Sequence, residues 1–310
     1  MTLAWLAKHP RWQTLALPVR ALLDVRAKDV PPLAKAYPWT FPTKLPLGVT
    51  RVRWLTVWLA RTGKRLWLVA DGAYAKAPFL KPVRQLGVTV VSRLRKDANL
   101  RSLPARQRRH GQRGPLPTYG KAKLALAKRA GQERGWSLVA CVQYGRPVTK
   151  TIKTFLATWR PAGGCIRVVL VREEDGWLPF FCTDPEASVV EILEALADRG
   201  AIEQMFKDLK EVWGAGQQQV TNVYARIGAL TVNLTLFSVV AVWAWSRAEA
   251  ELVDRSRSPW DEEDRRPSHA DKRKALQREI LREEIRAVVG RRAEREEFRQ
   301  LVTRLLDLAA

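Results

Sequence analysis

Two acids in this chain have a setting that suits chemistry. Asp71 closes the run Leu66-Trp-Leu-Val-Ala70 and is followed by Gly72-Ala-Tyr74. An uncharged run of that length reads as a buried strand, and open α/β sheets place their sites at the carboxyl ends of such strands. Glu203 lies in Arg199-Gly-Ala-Ile-Glu203-Gln-Met-Phe-Lys207-Asp-Leu-Lys210, where Ile202, Met205, Phe206, Leu209 and Trp213 recur at helical spacing. Arg199, Glu203, Lys207 and Lys210 follow at steps of four, four and three, so one helical stripe carries a carboxylate among cations. Carboxylates in a basic chain suit metal-assisted phosphodiester chemistry. Hard ions such as Mg²⁺ or Mn²⁺ take one or two carboxylates with water and phosphate oxygens. A pair of such ions activates the attacking oxygen and stabilises the leaving one.

The charge points to the same partner. The chain has 310 residues with 54 Lys and Arg against 31 Asp and Glu, a formal +23. From Ser246 onward 16 basic residues meet 15 acidic ones, so +22 of the surplus lies before Ser246. A one-sided surplus of this size expects a polyanion, most naturally nucleic acid. Within it, Arg93 to Arg134 holds 13 basic residues against Asp97 and Glu133, broken by Gly111, Gly114, Pro115 and Pro117. Arg106, Arg108, Arg109, Lys121 and Lys123 are the candidate phosphate contacts of that loop-rich stretch. Cys141, Cys165 and Cys182 are odd in number and form no C-x-x-C pair, so they read as buried thiols of a reducing compartment, not a disulfide frame or zinc site. The expected location is the cytoplasm, in association with the nucleoid. Ile227 to Trp245 is apolar enough to approach a membrane span, but Thr231, Asn233, Thr235 and Ser238 favour a fully buried core helix.

The elements that must hold these residues follow an α/β pattern. Met1–Leu6 and Thr14–Val25 read as a hairpin around Lys8-His9-Pro10-Arg11. A helix is expected over Thr50–Arg61, then the strand ending at Asp71, a helix over Phe79–Leu86 and a strand over Val88–Val91. Four β-like runs follow: Ser137–Val142, Thr149–Leu156, Ile166–Val171 and Trp177–Cys182. They predict a small antiparallel sheet inserted into the α/β core. Helices return from Val189, and Ser268-x-x-Asp271 marks a helix start in a charge-balanced tail expected to be a helical appendage.

In these motifs the chain resembles the DDE transposases of bacterial insertion sequences, the branch with a Y-x-x-R-x-x-x-E-x-x-x-x-x-x-K signature. Arg199, Glu203 and Lys210 keep its spacing, Leu196 stands at its tyrosine, and Asp71-Gly-Ala-Tyr74 resembles the turn at its second aspartate. The resemblance implies an RNase H-like core, a mixed sheet with flanking helices, interrupted by a β-rich insertion and followed by a helical C-terminal tail. It divides the chain into 1–92 (first part of the core), 93–183 (basic loop and β insertion), 184–245 (second part of the core) and 246–310 (tail). It also implies Asp71 and Glu203 as catalytic metal ligands for two Mg²⁺ or Mn²⁺ ions. Arg199, Lys207 and Lys210 would contact DNA, and a homodimer would act on two transposon ends. Tyr74 and Trp213 are expected in the core.

The resemblance further requires a third carboxylate on the first, central strand, and the chain reads as starting inside the second. Asp24 and Asp29 are the only early acids, and neither stands where that ligand belongs. The expectation is therefore an N-terminally truncated, incomplete transposase-family chain: a decayed fragment, a mis-assigned start, or one whose front comes from a separate N-terminal fragment. Alternatives are a non-catalytic DNA-binding remnant and an RNase H-like nuclease.

Overall fold

Apolar runs buried on both faces build the larger part of the molecule. The computed structural model describes residues 2–22, 27–31, 35, 43–105, 114–220, 222–254, 260–262, 265–289, 300 and 302–305. In chain order its elements are β1 (Thr2–His9), β2 (Gln13–Ala21), α1 (Lys44–Leu59), β3 (Trp67–Ala70), α2 (Ala77–Gln85), β4 (Thr89–Arg93), β5 (Leu100–Arg101), β6 (Lys123–Leu124), α3 (Leu126–Ala130), β7 (Ser137–Gln143), β8 (Arg146–Trp159), β9 (Gly164–Glu173), β10 (Gly176–Cys182), α4 (Val189–Asp198), α5 (Gly200–Glu211), α6 (Val223–Trp243), α7 (Glu249–Leu252) and α8 (His269–Val289). They fall into two compact units, residues 23–200 and residues 2–22 with 201–310.

The first unit is one mixed sheet in the order β3-β4-β10-β9-β8-β5-β6, with β7 paired to β8. Among the described residues only β3 and β4 run parallel, Trp67 opposite Thr89 and Ala70 opposite Ser92, with α2 as the crossover. The inserted β runs do not form a separate small sheet: β10 pairs with β4 through Phe180–Arg93 and Cys182–Val91, so they extend the core sheet. Alternation sends Val90, Val168, Leu170 and Phe181 to a face covered by α1 and α2. Val91, Val169, Val171 and Cys182 point to the opposite face, covered by Ile192 and Leu193 of α4. Strands buried on both faces carry unbroken apolar runs, which is why this part of the sequence was readable. Helix α1 starts at Lys44, not Thr50, because Pro46 sits in the first turn, where a missing N–H costs nothing. The architecture is the mixed α/β sheet with flanking helices that was expected, consistent with an RNase H-like core. Among the described residues β3 is its last strand, and all four of its residues are half-buried.

The second unit holds the expected hairpin. β1 and β2 pair from Thr2–Ala21 to His9–Gln13, with a bulge opposite Leu3 and Ala4 next to Pro18. His9 organises the turn: its Nδ1 accepts from the backbone of Arg11 and Trp12, so its Nε2 carries the proton and donates to the Trp245 carbonyl at 2.9 Å. Ala16 of β2 packs with Met205 and Leu209 of α5 and with Leu234 and Phe237 of α6.

The expectation of a fully buried helix over Ile227–Trp245 does not hold. α6 buries Leu234, Phe237, Val240 and Ala241, while Val232, Leu236, Val239 and Val242 form an exposed stripe, Val242 at 59%. The described tail is not an appendage either. Trp12, Ala244, Leu252 and Ala275 share one core, and Arg278 of α8 pairs with Asp254 at 2.7 Å. Cys141 and Cys182 are buried and all three thiols are free; burial pushes the Cys182 thiol up to about 12.

Candidate active site

The first unit holds an open cleft of about 490 Å³ at the carboxyl end of β3, between the sheet and α4. Asp71 stands at its floor for a local reason. It leaves β3 in extended conformation and caps the short 3-10 turn Gly72–Tyr74, its Oδ1 accepting from the Ala73 N–H at 2.8 Å. Its Oδ2 faces the Arg199 guanidinium at 3.4 Å, and the carboxylate is 61% exposed. An ion pair this open is worth at most about 1 kcal/mol, so either partner can exchange it for a ligand.

A second carboxylate was not foreseen. Glu173 ends β9 in the same cleft and accepts two bonds from Lys150 Nζ, both 3.1 Å. Glu173 was read only as part of the Glu173-Glu-Asp-Gly176 separator. Strand parity held the signal, because it shares a face with Val169 and Val171. The pairing of Ile152 with Val171, carried two residues on, sets Lys150 opposite it.

Arg93, from the end of β4, adds a third cation to the cleft beside Lys150 and Arg199. Leu196, at the position of the signature tyrosine, lines the wall, while aromatic rings reach the cleft from Phe180 of β10 and from Tyr144 of the β7–β8 turn. Tyr144 holds φ +52° and is 62% exposed. Its ring lies so close to Gly200 that a Cβ there would come within 2.8 Å of Cε1. Tyr74 packs on Phe79 at 5.1 Å in the core, as expected.

Glu203, Lys207 and Lys210 belong to the second unit, exposed on α5. The buried face of that helix is Met205 and Leu209, joined by half-buried Ile202 and Trp213, whereas Phe206 is 39% exposed. Lys207 approaches Glu211 at 4.0 Å. In the basic stretch, Lys121 and Lys123 are exposed, and the Lys121 carbonyl accepts from Arg101. Arg95 is held by Asp97 at 2.9 Å and Lys96 lies over Trp177. Arg106, Arg108 and Arg109 lie outside the described residues, as does Asp24.

Asp71 offers the oxygen donors that a hard divalent ion takes, in a cleft whose other charged groups suit phosphate oxygens. Among the described residues no three His, Cys, Asp or Glu side chains gather where they could hold one ion. In comparison with known proteins, the sequence model of the transposase DDE domain family matches residues 50–231, more than half of the chain. No curated protein matches it.

Proposed function

The chain belongs to the transposase DDE domain family, and we propose that it serves metal-dependent cleavage and transfer of DNA strands for a bacterial insertion sequence. The observation that carries this reading is Asp71 itself: a strand-end carboxylate, fixed by its own turn, exposed in a cleft with Arg93, Lys150 and Arg199. Asp71 and Glu203 are the residues that would hold Mg²⁺ or Mn²⁺. Two such ions, when bound, lower the charge cost of in-line attack on a phosphodiester.

The side chains have separable tasks. The Ala73 N–H keeps the Asp71 carboxylate in one orientation. Arg199 leaves its exposed ion pair with Asp71 to take a phosphate oxygen, a cheap exchange for a charge that is already oriented. Lys207 and Lys210 contact the phosphates next to the cleaved one. Arg106, Arg108, Arg109, Lys121 and Lys123 supply further phosphate contacts, for a homodimer on two transposon ends. A third carboxylate would come on a strand that pairs with β3. The half-burial of Trp67 to Ala70 supports that placement.

The test is Mg²⁺-dependent nicking of plasmid DNA by the purified chain, alone and with a peptide carrying an aspartate-bearing strand. Nicking that Asp71→Ala and Glu203→Gln each reduce by about a thousandfold or more, with DNA binding kept, is the expected result. Salt-sensitive binding with no nicking under either condition would replace this reading with a non-catalytic DNA-binding one. Nicking indifferent to both substitutions would remove the two acids from the site.

A further inference from the structure

The exposed face of α1 carries a surface that the cleft does not explain. Arg53, Trp54, Val57, Trp58 and Arg61 stand three or four residues apart, so they are neighbours on one side of the helix and its 3-10 extension. Val57 is 70% exposed and Trp58 69%, and the two indoles meet at 5.6 Å with a 44° tilt. The opposite side of the helix, Val49, Val52 and Leu55, is the one buried in the core. A soluble surface has little reason to present an indole and a valine together unless something covers them.

The charge around them selects the occupant. From Thr43 to Ala70 there are six Lys and Arg and no Asp or Glu. A second copy of this face would set guanidinium against guanidinium, so self-association is disfavoured, and an acidic polymer is favoured. A blunt duplex uses the cations but not the rings, since its base faces are stacked on one another and only phosphates and groove edges are offered. An unpaired strand uses both. Its bases stack on aromatic faces while its phosphates meet the flanking cations. Arg53 and Arg61 are about 12 Å apart along a helix axis, the reach of a few nucleotides.

We infer that the exposed end of α1 is a second nucleic-acid contact, which takes unpaired DNA by stacking bases on Trp58 between Arg53 and Arg61. This rests on the DNA-processing reading above. It gives that activity a place to hold a single strand apart from the cleft at Asp71.

The experiment measures anisotropy of a labelled single strand and of the blunt duplex of the same sequence, each titrated with the full chain. Trp58→Ala is expected to weaken single-strand binding about tenfold while leaving duplex binding within about twofold. Trp58→Phe, which keeps a ring and guards against a folding artefact, should retain most of the affinity. Arg53→Gln with Arg61→Gln should reduce the single-strand salt slope by about 1.4. Unchanged single-strand affinity in Trp58→Ala, or an equal loss on both DNAs, overturns the inference and leaves the cleft reading intact. A wild-type chain that binds neither DNA overturns both.

Discussion

At Asp71 the charges stand in water; at the start of α8 they stand in protein. Asp71 and Arg199 meet across an open cleft, 61% and 33% exposed. At the start of α8, the Asp271 carboxylate accepts from Arg265 at 2.7 Å and from the Ser268 backbone and hydroxyl, also at 2.7 Å. Burial opposes ionisation of Asp271, but these bonds outweigh it and hold the carboxyl below its usual range. Its neighbours are deeper still. The Lys272 ammonium lies 4.3 Å over the Trp12 ring, with burial pulling it down to about 8. His269 stacks on Phe237 at 3.8 Å, and burial, with Lys272 and Arg273 beside it, pulls the imidazole down to about 3. Perturbed titration commonly marks function. Here the perturbed groups of the second unit fasten the hairpin, α5 and α6 to α8. The open cleft is where a ligand can exchange partners with the charges already present.

That contrast breaks first at Asp271. Asp271→Ala removes one of the two carboxylates that hold Arg265, Asp261 being the other, and the reciprocal cap with Ser268, at a cost of about 3 kcal/mol from one charge-assisted hydrogen bond and one cap. Denaturant unfolding should show that loss while DNA binding and nicking, measured where the variant is folded, stay at wild-type levels. A variant that keeps its stability but loses nicking would make this region part of the chemistry and erase the comparison.

The same comparison has a pH form. His269 has a folded pKa of about 3, below its unfolded value, so the unfolded chain binds the extra proton as pH falls. Its contribution is complete above about pH 6.5 and is lost progressively toward pH 3. Between pH 7 and pH 5 the loss is about 2 kcal/mol. His269→Gln should flatten that part of the stability–pH curve. An unchanged slope in the variant would mean that the ring is protonated in the folded protein or that other groups set the acid limb.

How much of this the sequence carried depended on how many faces of an element are buried. β4, β9 and β10, covered on both sides, gave apolar runs that could be read directly, and so did the strand that ends at Asp71. α6 is equally apolar but buried on one side only, because hydropathy does not tell a helix wrapped by protein from one with an open stripe. Asp71 was legible because an acid ending an apolar run is a local pattern. Glu173 was not, since its partner Lys150 reaches it only through the register of two long strands. Leu196 looked like a gap in a motif. Its cleft is lined by Phe180 of β10 and by the ring of Tyr144, which is delivered by a turn far away in sequence.

That ring sets the smallest effect and the sharpest use of the comparison. Gln143 pairs with Arg146, so Tyr144 and Gly145 form a two-residue hairpin turn, with φ of +52° and +72°. Such turns favour Asn or Gly at the first position, and a tyrosine there carries strain of about 1 kcal/mol. Tyr144→Asn should therefore raise the melting temperature by about 2 °C. If the strained ring is kept for what enters the cleft, the same variant should bind or nick DNA less well while it melts higher, the reverse of Asp271→Ala. A lower melting temperature would show that packing of the ring against Gly200 outweighs the turn strain. Tyr144 would then belong with the groups that hold the fold together, on the side of His269 and Lys272.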